Sequence, residues 1–227
     1  WTEFYTDYGR ELQLEFFDHF LKDEDSGWTD QPDVRLQVRR PDGEFIERSE
    51  DDWPIPRTEF TRYYLDADGN DLVTDQPESE SSVTYDALGD GATFLTDPLD
   101  EETEFTGPMS AKLFVESETE DADLFLVVRV FTPDMEEVVF QGALDPHKPI
   151  ALGWLRASHR KLDEDKSEEW RPYHAHDEQQ PLDPGEIYEL DVEIRPSSIQ
   201  VPEEYRIGLS VRGNDYEYPG DVDTGLE

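Results

Sequence analysis

Three stretches of the chain gather residue types that could do chemistry. Gly208-Leu209-Ser210-Val211-Arg212 begins like the G-x-S-x-G elbow that presents a nucleophilic serine. Arg212 stands where the second small residue is required, and the segment continues as a strand instead of turning into a helix, so Ser210 reads as structural. His174-Ala175-His176, followed by Asp177, would place two imidazoles on one strand face, as zinc ligation needs. A catalytic zinc takes a third protein ligand, and nothing local supplies one. Pro172 and Gln179-Gln180-Pro181 instead frame a polar loop. Asp66, Asp68, Asn70 and Asp71 resemble a calcium loop, but the EF-hand pattern needs glycine sixth and glutamate twelfth, whereas Gly69 is fourth and Pro77 twelfth. That segment reads as a hairpin turn. His19 and His147 have no nameable partner, and carboxylates are so frequent that an acid–base pair would be an arbitrary choice. The reading therefore assigns no catalytic, metal or cofactor-binding residue and expects no cofactor.

Charge narrows the function classes further. Asp and Glu number 58 against 19 Lys and Arg, a net charge of −39 distributed along the whole chain. A field of that sign repels phosphate backbones and anionic lipid headgroups, which argues against nucleic acid and membrane partners. Acidic blocks usually mark disordered segments, yet here acids interleave with regular apolar patterns, as in Val34-Arg35-Leu36-Gln37-Val38. The pattern fits adaptation to molar salt, where the screening length shrinks to roughly 3 Å and self-repulsion largely vanishes. Cysteine is absent and no stretch approaches the apolar length of a membrane span, which fits a cytoplasmic protein. Only 35% of residues are hydrophobic, but 12% are aromatic, so the core should rest on aromatic and short β-branched runs. A chain of 227 residues buries roughly 70% of its unfolded surface, enough for a real core.

The elements that would carry these residues begin with one helix. From Asp7 to Lys22, Leu12, Phe16, Phe17, Phe20 and Leu21 share a face, Thr6 is placed as N-cap, and Asp7 complements the dipole. Such a face must be buried, either on the rest of this chain or on a domain beyond it. After Gly27-Trp28 and Pro32 the apolar period becomes two, and strands are expected at 34–38, 60–65, 92–95, 111–115, 124–131, 138–140, 150–157, 187–194 and 205–211. Pro41-Asp42-Gly43 and Asp66-Ala67-Asp68-Gly69-Asn70 read as turns, and 71–82 and 163–180 as long surface loops. About nine short strands and no second long helix indicate an all-β jelly-roll sandwich, galactose-binding-like in type, with one N-terminal helix. The abrupt start at Trp1 and the close on Leu226-Glu227, a dipeptide often left by a tag, suggest an excised piece.

An ordered series of motifs carries a family resemblance over nearly the whole chain. Trp1-Thr2-Glu3-Phe4-Tyr5, Phe16-Phe17-Asp18-His19-Phe20-Leu21-Lys22 and Pro32-Asp33-Val34-Arg35-Leu36-Gln37-Val38-Arg39 come first. Trp53-Pro54-Ile55-Pro56-Arg57-Thr58-Glu59, Tyr64-Leu65-Asp66-Ala67-Asp68-Gly69 and Asp121-Ala122-Asp123-Leu124-Phe125 follow. Gly153-Trp154-Leu155-Arg156-Ala157-Ser158-His159-Arg160 and Pro181-Leu182-Asp183-Pro184-Gly185-Glu186 complete the series. The chain resembles the C-terminal jelly roll of cocaine esterase-like and X-Pro dipeptidyl-peptidase-like (CocE/NonD) serine hydrolases, in a halophilic version. The resemblance implies that residues 1–26 are the last helix of an α/β-hydrolase domain plus linker, and 27–227 the jelly roll. It places the catalytic triad upstream, so no catalytic residue carries over. It implies a non-catalytic domain that helps wall the substrate cleft, packs against its own hydrolase domain and contributes to homo-oligomer contacts. The competing reading is a free-standing carbohydrate-binding or adhesion module, for which Trp28, Trp53, Trp154, Trp170, Tyr173, Tyr216 and Tyr218 offer stacking surfaces.

Overall fold

The computed structural model describes residues 2–142 and 145–218, so Trp1, Pro219-Gly220 and Leu226-Glu227 lie outside the described residues. The chain opens with helices α1 (Thr2–Tyr5) and α2 (Asp7–Lys22). Thr6 caps α2 as the sequence indicates: it is extended, and its hydroxyl accepts from the Gly9 amide at 3.4 Å. Asp7 in the first turn and Lys22 in the last complement the dipole, and Lys22 pairs with Asp18 one turn earlier.

Ten strands follow among the described residues: β1 (Val34–Arg39), β2 (Phe45–Glu50), β3 (Tyr64–Asp66), β4 (Asp71–Val73), β5 (Ala92–Leu95), β6 (Thr103–Glu116), β7 (Asp123–Phe131), β8 (Ala151–Arg156), β9 (Ile187–Val201) and β10 (Arg206–Arg212). They form one hydrogen-bonded network in the order β2-β1-β9-β8-β7-β10-β5-β4-β3, with β6 pairing β9 along nearly its whole length. The network folds over itself as a sandwich. Leu113, Leu190, Val192, Ile194, Ile199 and Val201 of β6 and β9 share one core with Phe94, Leu124, Leu126, Val130, Leu155, Ile207 and Val211 of β5, β7, β8 and β10. Alternation produces this core: along β9, Leu190, Val192 and Ile194 are buried while Glu189, Glu193 and Arg195 face water.

A bulge lets β9 run on past Pro196. Gly107 pairs Ser197 and Met109 pairs Ile194, so one residue of β6 faces two of β9. Beyond it the buried phase moves to Ser197, Ile199 and Val201. Pro196 lies at this irregularity, where its missing amide breaks no ladder, and Gly107 takes φ of 146°, a region glycine favours. Gly153 serves a second close approach: it pairs Ile194 where β8 meets β9, and a Cβ there would lie 2.5 Å from the Glu193 carbonyl oxygen.

Several sequence expectations change. The strand expected at 60–65 pairs only over Tyr64–Asp66, and Phe60 stacks on Trp170 instead, centroids 5.5 Å apart. The strand expected at 138–140 reduces to isolated bridges at Glu137 and Phe140. Part of the expected 71–82 loop is β4, and β2, rich in charge, was not expected. Strands β6 and β9 extend well beyond 111–115 and 187–194.

Candidate functional site

Ser210 lies on β10 between β5 and β7 and is 1% exposed. Its hydroxyl meets Thr93 Oγ1 at 2.7 Å and Arg129 Nη1 at 3.4 Å, not an imidazole or carboxylate. Arg129 in turn donates to both oxygens of Glu137, at 2.9 and 2.5 Å, and Tyr216 donates to Glu137 at 2.7 Å. Burial works against the Arg129 charge, but Glu137 more than offsets it and the guanidinium pKa rises; burial first, then Glu137, raises the Tyr216 phenol. This network is neutral as a whole and cements β7 to the segment after β10; it offers no activated nucleophile.

The paired histidines are not two neighbours on a strand. His174 makes an isolated bridge with Leu162, and its Nε2 donates to the Asp191 carbonyl at 3.0 Å. Burial lowers the His174 pKa, favouring a neutral ring. His176 sits in left-handed backbone, φ 52°, and points to His159, with the two Nδ1 atoms 3.2 Å apart. The sequence reading missed His159 as a neighbour because it lies 17 residues upstream, and only the pairing of loop 160–163 with 173–175 brings it close. Among the described residues no group of three or more potential ligands converges on one metal position. Asp66 and its neighbours form the expected turn between β3 and β4, with Asp66 Oδ1 accepting from the Asp68 amide at 3.1 Å.

Helix α2 is only partly covered by the rest of the chain. Gly9 is its buried contact, Arg35 donates to the Tyr8 hydroxyl at 2.9 Å, and Gln31 donates to Glu15 at 2.6 Å. Phe16 and Phe20 touch the edge of Trp28, at 5.1 and 6.4 Å between centroids. Much of the face stays exposed even so: Phe17 is 49% exposed, Phe20 58% and Leu21 76%. The face is thus covered in part by its own chain: Phe16 and Phe20 meet Trp28, and Leu12 is half-buried.

The fold is thus a β-sandwich in which Ser210 is locked in a strand and the N-terminal helix leaves part of its apolar face exposed. The chain belongs to the family of X-Pro dipeptidyl-peptidase C-terminal non-catalytic domains, whose model matches residues 26–224. A CocE/NonD family hydrolase from Staphylococcus aureus superposes with a TM-score of 0.89 at 30% identity, over 97% of this chain and 40% of that one. A Mycobacterium bovis protein named as a serine esterase is 29% identical over 89% of this chain and 35% of its own length. The cocaine esterase of a Rhodococcus species is 27% identical over 92% of this chain and 39% of its own. The chain thus spans well under half the length of these relatives. It is a non-catalytic C-terminal domain of CocE/NonD-type hydrolases, and the free-standing sugar-binding reading is not favoured. Four of the seven aromatic residues offered for stacking have partners within the chain: Trp28 with Phe16, Trp154 under Arg195, Trp170 on Phe60, Tyr216 on Glu137. No helix among the described residues is long and apolar enough to cross a membrane.

Proposed function

We infer that this domain works as the C-terminal lobe of a serine hydrolase of the acyl esterase or X-Pro dipeptidyl-peptidase type. The bare face of α2, with Phe17, Phe20 and Leu21, carries the reading. Residues 1–26 belong structurally to the preceding α/β-hydrolase domain, and 27–227 form the jelly roll docked against it. The chemistry of the whole enzyme is acyl transfer to water through an acyl-enzyme formed on a serine of that domain. The lobe helps wall the cleft, stabilises the assembly and offers contacts for a homo-oligomer. The net charge of −39 supports a high-salt cytoplasm as its setting. Mixing this chain with its separately produced hydrolase domain in concentrated KCl tests the proposal: hydrolysis of a nitrophenyl ester or an Xaa-Pro-nitroanilide should rise above that of either part. No association and no gain would overturn it.

A further inference from the structure

The geometry points to a surface chelate for a divalent late transition cation, formed by His159 and His176. Two imidazole nitrogens bound at roughly 2.0–2.1 Å to one ion stand about 3.3 Å apart on a tetrahedral centre and about 2.9 Å apart at cis positions of a tetragonal one. The Nδ1 atoms of His159 and His176 stand 3.2 Å apart, so one ion could take both with little ring movement. The backbone that carries the two rings is tied down. His159 closes the short 3₁₀ turn Ala157–His159, and that turn is anchored because Ser158 donates its amide and hydroxyl to the two Asp121 carboxylate oxygens, at 2.9 and 2.7 Å. The Ala175 amide donates to the Lys161 carbonyl at 2.9 Å, and the Asp163 amide to the Tyr173 carbonyl at 2.8 Å, holding the two segments antiparallel. At the end of this pairing His176 adopts left-handed backbone, an uncommon state for a residue with a side chain, and this turns its ring toward His159.

The surroundings suit a cation. His174 packs beside His176, ring centroids 6.0 Å apart, and its Nε2 donates to the Asp191 carbonyl; no group of three potential ligands converges on one position among the described residues, so the site is assigned two protein ligands. Asp177 and Glu178 are drawn off by Lys161, at 3.0 and 3.6 Å. Two protein nitrogens leave the remaining coordination positions to water, an exposed arrangement favoured by Cu²⁺ over Zn²⁺. This inference is independent of how the domain docks.

Titration calorimetry with Cu²⁺ tests it, in excess Mg²⁺ so that surface carboxylates are already occupied. One saturable site per chain is expected, weakened about tenfold or more by either His159→Gln or His176→Gln and unchanged by His174→Gln. Electron paramagnetic resonance of the Cu²⁺-loaded wild-type chain gives a second readout that needs no variant: coupling to two nitrogens is expected. Absence of saturable uptake, coupling to oxygen alone, or uptake that survives both substitutions would overturn the chelate. An equal loss in His174→Gln would overturn the two-ligand assignment.

Discussion

Arg57 grips Glu50 with both arms of its guanidinium, Nη1 to Oε2 at 2.6 Å and Nη2 to Oε1 at 2.5 Å. Arg48 reaches the same carboxylate at 2.5 Å and extends the chain of charges to Glu104. Glu50 closes β2, and its side chain is only 7% exposed, so the pair ties the sheet edge to the loop that follows.

The hydrogen bond from Arg57 holds the Glu50 carboxyl down at about 2, from an ordinary 4.5. The folded value lies below the unfolded one, so the stabilisation is complete above the unfolded value and is lost as pH falls from about 4.5 toward about 2. Urea melts across that window should show an acid-sensitive step that Glu50→Gln removes, at the cost of a lower midpoint at neutral pH.

The Thr93–Ser210 hydroxyl pair spans β5 and β10 in the core. Ser210→Ala leaves Thr93 without that partner and should cost about 1–3 kcal/mol in chemical denaturation. In the reassembled hydrolase the same variant should keep its turnover, since this serine attacks nothing. A loss of turnover with stability intact would contradict the assignment.

Gly153→Ala forces a methyl group to within 2.5 Å of the Glu193 carbonyl oxygen. Backbone cannot yield there without parting β8 from β9, so a loss at the upper end of overpacking costs, about 3 kcal/mol, is expected in thermal melts.

Phe17→Ser combined with Leu21→Ser should lower the stability of the separate chain by about 1 kcal/mol at most, because Leu21 is 76% exposed and Phe17 half-exposed. Association with the hydrolase domain, followed by ultracentrifugation, should be abolished.

Circular dichroism across a KCl series should show the fold loosening in dilute buffer and tightening in concentrated salt, as the charge of −39 is screened. A salt-independent melting curve would reject adaptation to salt.

Local order was enough for the parts of this protein that follow from side-chain periodicity and capping. Thr6, Asp7 and the recurrence of Phe16, Phe17 and Phe20 define α2 almost to the residue, and alternation defines the centres of β1, β5, β7 and β10. The failed elbow at Arg212 likewise makes Ser210 read as structural, and the fold places it buried on β10. Strand β2 escaped notice because an edge strand with one side in water needs few apolar residues, and β9 was cut short because Pro196 reads as a stop until a bulge accommodates it. Long-range pairing made the remaining decisions. Only the antiparallel run of loop 160–163 on 173–175 brings His159 to His176, and only the folded sandwich shows that the aromatic face of α2 finds too little on its own chain to cover it. Periodicity reports which side of an element is apolar; what that side meets depends on contacts between residues far apart in the chain, which no local pattern encodes.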